Sequence, residues 1–223
     1  MERFFIVATP IGNLEDMGMR ALRVLREADA IVCERPTHTL KLLSHFGITG
    51  KKLISYTEAN RIRAISVILK TLETQSCAFV VDAGTIGVSD PGSELVAAVR
   101  AQGVQIESVP GPSALTAAIA LSGERVSDVR FVGFFPMKLK ERTALLDWLK
   151  PGRYLAFYEA PHRIEKTMEF LRQAVPQSHA ILASEISKVH EKTISGAPEE
   201  ILKEFATDAR LKKGEFVVLL RND

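Results

Sequence analysis

The chain is poor in cysteine: only Cys33 and Cys77 occur, both inside apolar runs (AIVCE and CAFVV). Two isolated thiols provide neither a disulfide framework nor zinc-ligand spacing, so they read as buried structural residues. Long hydrophobic runs are missing too, since nothing approaches the ~18 apolar residues of a membrane-spanning helix. The start, MERFFIVATP, enters a strand-like run without the basic start and long apolar stretch of a signal peptide, so the cytoplasm is the expected compartment. Excess charge of one sign is absent: the net charge is +2 and the pI about 8.5. That balance does not demand a nucleic-acid partner and does not oppose one. Several nucleotide and hydrolase signatures fail as well. No G-x-G-x-x-G follows the first strand, and neither G-x-x-x-x-G-K-[ST] nor G-x-S-x-G occurs. His38 and His45 stand seven apart on one expected helix, wider than the i, i+4 pair a metal would want, and no metal is expected.

What is present is an ordinary globular balance, 46% hydrophobic and 25% charged, over 223 residues. That length suits two domains of about 100 residues each. The first half alternates apolar β-branched runs with helical patterns: strands are expected at 4–8, 30–33, 51–55, 78–81 and 104–109. Between them lie helices carrying Ala21, Leu22, Leu25 and Ala28; Leu40, Leu43 and Phe46; Ile62, Ile65, Leu69 and Leu72; and Leu95, Val96 and Val99. Thr37 is the expected N-cap of the second helix and Gly47 its stop. Strand–helix alternation with nearly continuous apolar strands predicts a mainly parallel sheet covered on both faces.

A helix at 112–122 is expected to close this first domain, residues 1–122, with SGERVSD (122–128) as the linker. The second domain, 123–223, mixes strands (131–135, 153–158, 179–184, 215–220 and a short one near 192–195) with helices at 141–149, 163–174 and 198–206. Its tighter spacing predicts a mixed sheet. The fold class is α/β throughout.

Ligands on open α/β sheets gather beyond the carboxyl ends of strands. The loops there are Ala8–Asn13, Glu34–Thr39, Asp82–Gly92 and Pro110–Ala114. The last two are rich in Gly, Pro and small hydroxylated residues, so a carboxylate or ribose can approach the backbone closely. Each is equally readable as a tight strand-to-helix turn. In the second half, Tyr158–Arg163, Glu185 with Lys188, and Lys212–Glu215 lie at strand or helix ends, where charge clusters also serve as solvated caps.

At these loops the sequence resembles the ribosomal RNA small subunit methyltransferase I family, a branch of the tetrapyrrole (corrin/porphyrin) methylases. The matching stretches are IVATPIGNLEDM (6–17), E-x-x-x-HT-x-x-LL-x-HFGI (34–48), DAGT-x-x-x-SDPG (82–92) and PGPSALTAA (110–118). In the second half they are F-x-GFFP-x-K-x-K-x-R (131–142), FYEAPHRI (157–164), E-x-x-K-x-x-E (185–191) and KGEFVVLL (213–220). The resemblance implies a tetrapyrrole methylase-like fold, S-adenosyl-L-methionine held in a cleft between two domains, and a homodimer. It also implies methylation of the 2′-hydroxyl of a cytidine in small-subunit ribosomal RNA, which makes the small ribosomal subunit a partner. Carried over residue by residue, donor contacts fall on Pro10, Gly84, Thr85, Val88, Ser113, Ala114, Tyr158, Ala183 and Gly214.

Methyl transfer to a hydroxyl needs alignment and removal of a weakly acidic proton, which a carboxylate or neutral imidazole can take. The resemblance places Glu34 and His38 at that position and leaves open which is the base. Asn60, Lys138, Lys140, Arg142, Arg163 and Lys188 are the expected substrate contacts, the cationic ones to phosphate.

Three departures fall on the expected substrate side. The family's E-D-T-R-H-T reads Glu34-Arg35-Pro36-Thr37-His38-Thr39; the proline after D-A-G-T is Ile86; and the H-x-H-N segment, within Tyr56–Asn60, keeps only Asn60. The sequence also ends directly after its last strand, where many members carry an extension. Three readings therefore stand: an RNA ribose methyltransferase, a methyltransferase of the same fold acting on a tetrapyrrole or other small molecule, and a non-catalytic donor-binding protein with a decayed acceptor site.

Overall fold

A computed structural model describes residues 2–87 and 92–222. The chain forms two compact units, one ending at Ser113 and one beginning at Ala114. Each has its own sheet and its own core.

The first unit is a five-stranded parallel sheet built from β1 (Phe4–Val7), β2 (Ala30–Cys33), β3 (Lys52–Ser55), β4 (Cys77–Val80) and β5 (Ile106–Val109). The spatial order is β3-β2-β4-β1-β5, with every pairing parallel. β2 and β4 are buried at every position, which explains their unbroken apolar sequences. Alternate residues feed two cores: Val7, Ile31, Ala78 and Val80 belong to one, and Phe4, Val32, Cys77 and Phe79 to the other.

Four helices cover these faces: α1 (Met19–Glu27), α2 (Pro36–His45), α3 (Arg61–Thr71) and α4 (Ser93–Ala101). α1 buries Ala21, Val24 and Leu25, residues at helical spacing. In α2 the expected N-cap, Thr37, lies inside the helix instead. Pro36 occupies the first turn with Arg35 extended before it, because proline is pre-set for that position and needs no N–H partner there. Leu40 is exposed while Thr39 and Leu43 are buried, so the buried stripe of α2 is rotated from the apolar pattern.

The second unit is a mixed sheet of β6 (Val129–Phe134), β7 (Tyr154–Glu159), β8 (Ser178–Ser184), β9 (Lys192–Gly196) and β10 (Phe216–Asn222). Its order is β6-β7-β10-β8-β9; β6 runs parallel to β7 and the remaining pairs are antiparallel. One face carries α6 (Leu139–Trp148), α7 (Ile164–Ala174) and α8 (Pro198–Thr207) over a core that includes Phe157, Leu182 and Val218. Burying each such side chain stabilises the fold by about 1.5–3 kcal/mol.

The opposite face holds Ala156, Ile181 and Leu219, against which Leu115 and Ile119 of α5 (Ala114–Leu121) pack. The helix expected to close the first domain at residue 122 therefore belongs to the second unit, and the division falls at Ser113/Ala114. Contact with that apolar face, not chain order, places it.

Candidate active site

In a parallel sheet all strands end at the same edge, so the loops after β1, β4 and β5 of the first unit leave together. They are stitched by their backbones. Thr9 N–H donates to Gly84 O at 3.0 Å, and Gly84 N–H returns the bond to Thr9 O at 3.1 Å. The buried Thr9 hydroxyl donates to Val81 O at 3.1 Å. Thr85 Oγ1 donates to Pro112 O at 3.0 Å, joining the loop after β4 to the turn that carries Ser113. Gly84 has φ +81°, and a Cβ there would lie 3.3 Å from Ile11. Pro10, Gly84, Thr85 and Ser113 are thus held in one loop cluster, while Val88 lies outside the described residues. Ile86, the departure beside Thr85, is partly buried against the core around Phe79.

β2 is the other neighbour of β4, so its loop joins the same edge. Glu34 is half-buried, and its carbonyl accepts from the Ser55 hydroxyl at 3.4 Å. Arg35 Nε donates to Asp82 Oδ2, and His38 Nδ1 lies 3.4 Å from Asp82 Oδ1. The arginine that departs from the family pattern is therefore paired with the aspartate of D-A-G-T. In the sequence Arg35 stood out only as a departure and Asp82 only as the start of a loop, and neither carried a site role. Their opposite charges were visible, but β3 intervenes in the chain between the two strands that bring them together. Beneath them, burial pushes the Cys33 thiol up against the opposing hydrogen bond from Thr39. Burial likewise raises Cys77, to about 11, so neither thiol is a nucleophile near neutral pH.

Asn60 sits just before α3 and engages both ends of its amide with backbone. Its Oδ1 accepts from Thr57 N–H at 2.8 Å, and its Nδ2 donates to Ser55 O at 3.2 Å.

In the second unit, Tyr158 is paired with Val217, and Val217 with Ala183. Directly paired residues share a face, so Tyr158 and Ala183 lie on the face that α5 covers, and Ala114 opens that helix. The rings of Phe131 and Phe134 meet Tyr158 edge-on at 4.9 and 5.8 Å. Gly214 supports the loop after β8: Glu215 N–H donates to Glu185 Oε1 at 3.0 Å, and Lys188 Nζ donates to Glu185 Oε1 and Glu215 Oε2, each at 3.0 Å.

The remaining expected phosphate contacts divide into two kinds. Lys138 and Lys140 are exposed, Lys138 beside Glu141 at 3.3 Å, on a segment that also exposes Met137, Leu139 and Phe134, the last at 57%. Arg142 and Arg163 are engaged internally. Arg142 donates to Pro136 O at 2.7 Å and lies over the rings of Phe135 and Phe170. Arg163 pairs with the buried Glu159 at 3.1 Å and donates to Phe135 O. Among the described residues, no three His, Cys, Asp or Glu side chains gather as metal ligands, and no helix is long and apolar enough to cross a membrane.

Known proteins share this fold. The chain is 41% identical to a ribosomal RNA small subunit methyltransferase I of Coprothermobacter proteolyticus over 218 residues, covering 97% of this chain and 96% of that one. Its fold matches a diphthine synthase with a TM-score of 0.70 at 15% identity, over 99% and 90% of the two chains. It also matches the uroporphyrin-III C-methyltransferase of Thermus thermophilus, solved with S-adenosyl homocysteine, with a TM-score of 0.61 at 17% identity, over 97% and 91%. The family model of the tetrapyrrole (corrin/porphyrin) methylases matches residues 3–202, and this chain belongs to that family.

Proposed function

We propose that this protein is an S-adenosylmethionine-dependent methyltransferase that modifies the 2′-hydroxyl of a cytidine in small-subunit ribosomal RNA. The observation that carries the reading is the loop cluster of the first unit, where Thr9–Gly84 and Thr85–Pro112 tie three strand ends together beside Glu34 and His38. The identity to a named ribosomal RNA methyltransferase supports the RNA acceptor.

The residues present suit such a donor. Side chains are small or absent at Gly84, Gly111, Ser113 and Ala114, and even a Cβ at Gly111 would stand 3.0 Å from Ala8. Main-chain groups therefore do the holding in the first unit, with Pro10, Thr85 and Val88 in the same loops. Tyr158, Ala183 and Gly214 are the proposed donor contacts of the second. When bound, S-adenosylmethionine would supply a methyl group on a positively charged sulfur, with the neutral thioether as its leaving group. The chain's own tasks are to align the ribose and to take its hydroxyl proton on His38 or Glu34.

Lys138 and Lys140 are the proposed phosphate contacts. Arg142, Arg163, Lys188 and Asn60 already have internal partners, so they are proposed to serve the substrate chiefly by shaping its surface. A cytoplasmic homodimer acting on the small ribosomal subunit belongs to the same reading.

Labelled S-adenosylmethionine and small ribosomal subunits lacking the modification provide the test. Ribose-linked label that maps to one cytidine and is lost in Glu34→Ala or His38→Ala is the expected result. Donor binding by calorimetry without transfer to any RNA would overturn the assignment and favour a binding protein, whereas transfer to a tetrapyrrole would favour a small-molecule enzyme.

A further inference from the structure

Asp82 closes the loop edge between two nitrogen-bearing side chains. Arg35 Nε occupies its Oδ2. Its Oδ1 is buried and lacks a hydrogen-bond partner among the described residues, yet His38 Nδ1 stands 3.4 Å away. A buried carboxylate oxygen without a donor is costly, and a small rotation of the imidazole supplies one. His38 keeps half of its side chain exposed and Asp82 only 16%. The aspartate is therefore the anchored partner and the imidazole the mobile one.

We infer that Asp82 is the positioning residue of His38: it holds the Nδ1–H tautomer, and it leaves Nε2 as the atom that accepts the ribose proton. A carboxylate behind one ring nitrogen selects the tautomer and the ring orientation. Arg35 pairs with the other oxygen and holds the carboxylate in place. The three side chains thus act as one device, and the departure from the family loop supplies its third member.

The other charged groups near His38 are Glu34 and Lys41 on its own segment. β3 packs against α2, and the loop that follows β3 carries Glu58, already paired with Arg61 at 2.6 Å. Neither Glu58 nor Arg61 contacts Asp82 in the ion pairs described.

The role of Nε2 as base rests on the proposed methyl transfer; the orientation of the ring does not. Nitrogen NMR of the intact protein labelled at its five histidines, with His38 assigned through His38→Gln, reads the orientation directly. Neutral His38 is expected to carry its proton on Nδ1. In Asp82→Asn the Nε2–H form should become the major one. On ribosomal RNA, kcat in Asp82→Asn should fall at least ~10-fold. An Nε2–H tautomer in the wild-type protein, or an Nδ1–H form that persists in Asp82→Asn, would overturn the inference. If the NMR behaves as expected but methylation survives His38→Gln, the positioning stands and the base role is lost.

Discussion

Arg163 Nε lies 3.1 Å from Oε1 of Glu159, and the Glu159 side chain has no solvent exposure at all. The carboxylate is further satisfied by Thr167 Oγ1 at 2.6 Å and Ala160 N–H at 2.9 Å. Removing the cation leaves a buried charge without its counter-ion. Arg163→Ala is therefore expected to cost about 3–5 kcal/mol in urea unfolding. An unchanged unfolding midpoint would show that this pair contributes no stability and would free Arg163 for an RNA role.

Gly214 carries φ +95°, and a Cβ on it would stand 2.4 Å from Cγ of Glu185. Glu185 is itself left-handed at φ 51°. Gly214→Ala should destabilise by about 1–3 kcal/mol through backbone strain and this clash. Adding Glu185→Ala removes the clash but not the strain, so in thermal unfolding the double variant should lose less than the two single variants summed. Strict additivity would exclude the contact as a cause.

The loop after β8 is expected to loosen at both ends of the pH scale. Burial alone would raise the Glu185 carboxyl, but the Glu215 N–H and the Lys188 ammonium outweigh it and hold it below its ordinary 4.5. Burial alone would lower Lys188, yet its hydrogen bonds to Glu215 and Glu185 hold it above 10.5. A depressed carboxyl stabilises above its unfolded value and ceases to as pH falls through the folded one. A raised ammonium stabilises below its unfolded value and ceases to as pH rises through the folded one. Hydrogen exchange at Ser187 and Glu215 should therefore stay protected near neutrality and accelerate, beyond the intrinsic rate, below 4.5 and above 10.5. Flat protection factors across that range would contradict the tether.

Thr85→Val keeps the size of the side chain while deleting the hydroxyl that reaches Pro112 O. The net loss is about 0.5–1.5 kcal/mol, which calorimetry should register as S-adenosylmethionine bound roughly 2- to 10-fold more weakly. Equal affinity would remove the link between loop stitching and donor binding.

Much of the first unit was legible because a strand buried on both faces must be apolar throughout, as AIVC and CAFV are. The loop cluster was legible for a related reason: parallel strands deliver their following loops to one edge. α5 was not. The segment ALTAAIAL is small and apolar all round, so no stripe in it points to either sheet. Lys188 and Arg163 looked like free cations because a charge in sequence does not name its partner; Glu185, Glu215 and Glu159 claim them in the fold.

The sequence by itself determined the α/β class, the parallel and mixed sheets, and the glycine-rich turns at their ends, because burial on two faces and backbone freedom are local demands written in residue type. Only the tertiary structure decided which helix belongs to which unit and that Asp82 stands between Arg35 and His38. Those outcomes depend on the order β3-β2-β4-β1-β5, and neighbours in a sheet are chosen by packing across the chain rather than by succession along it.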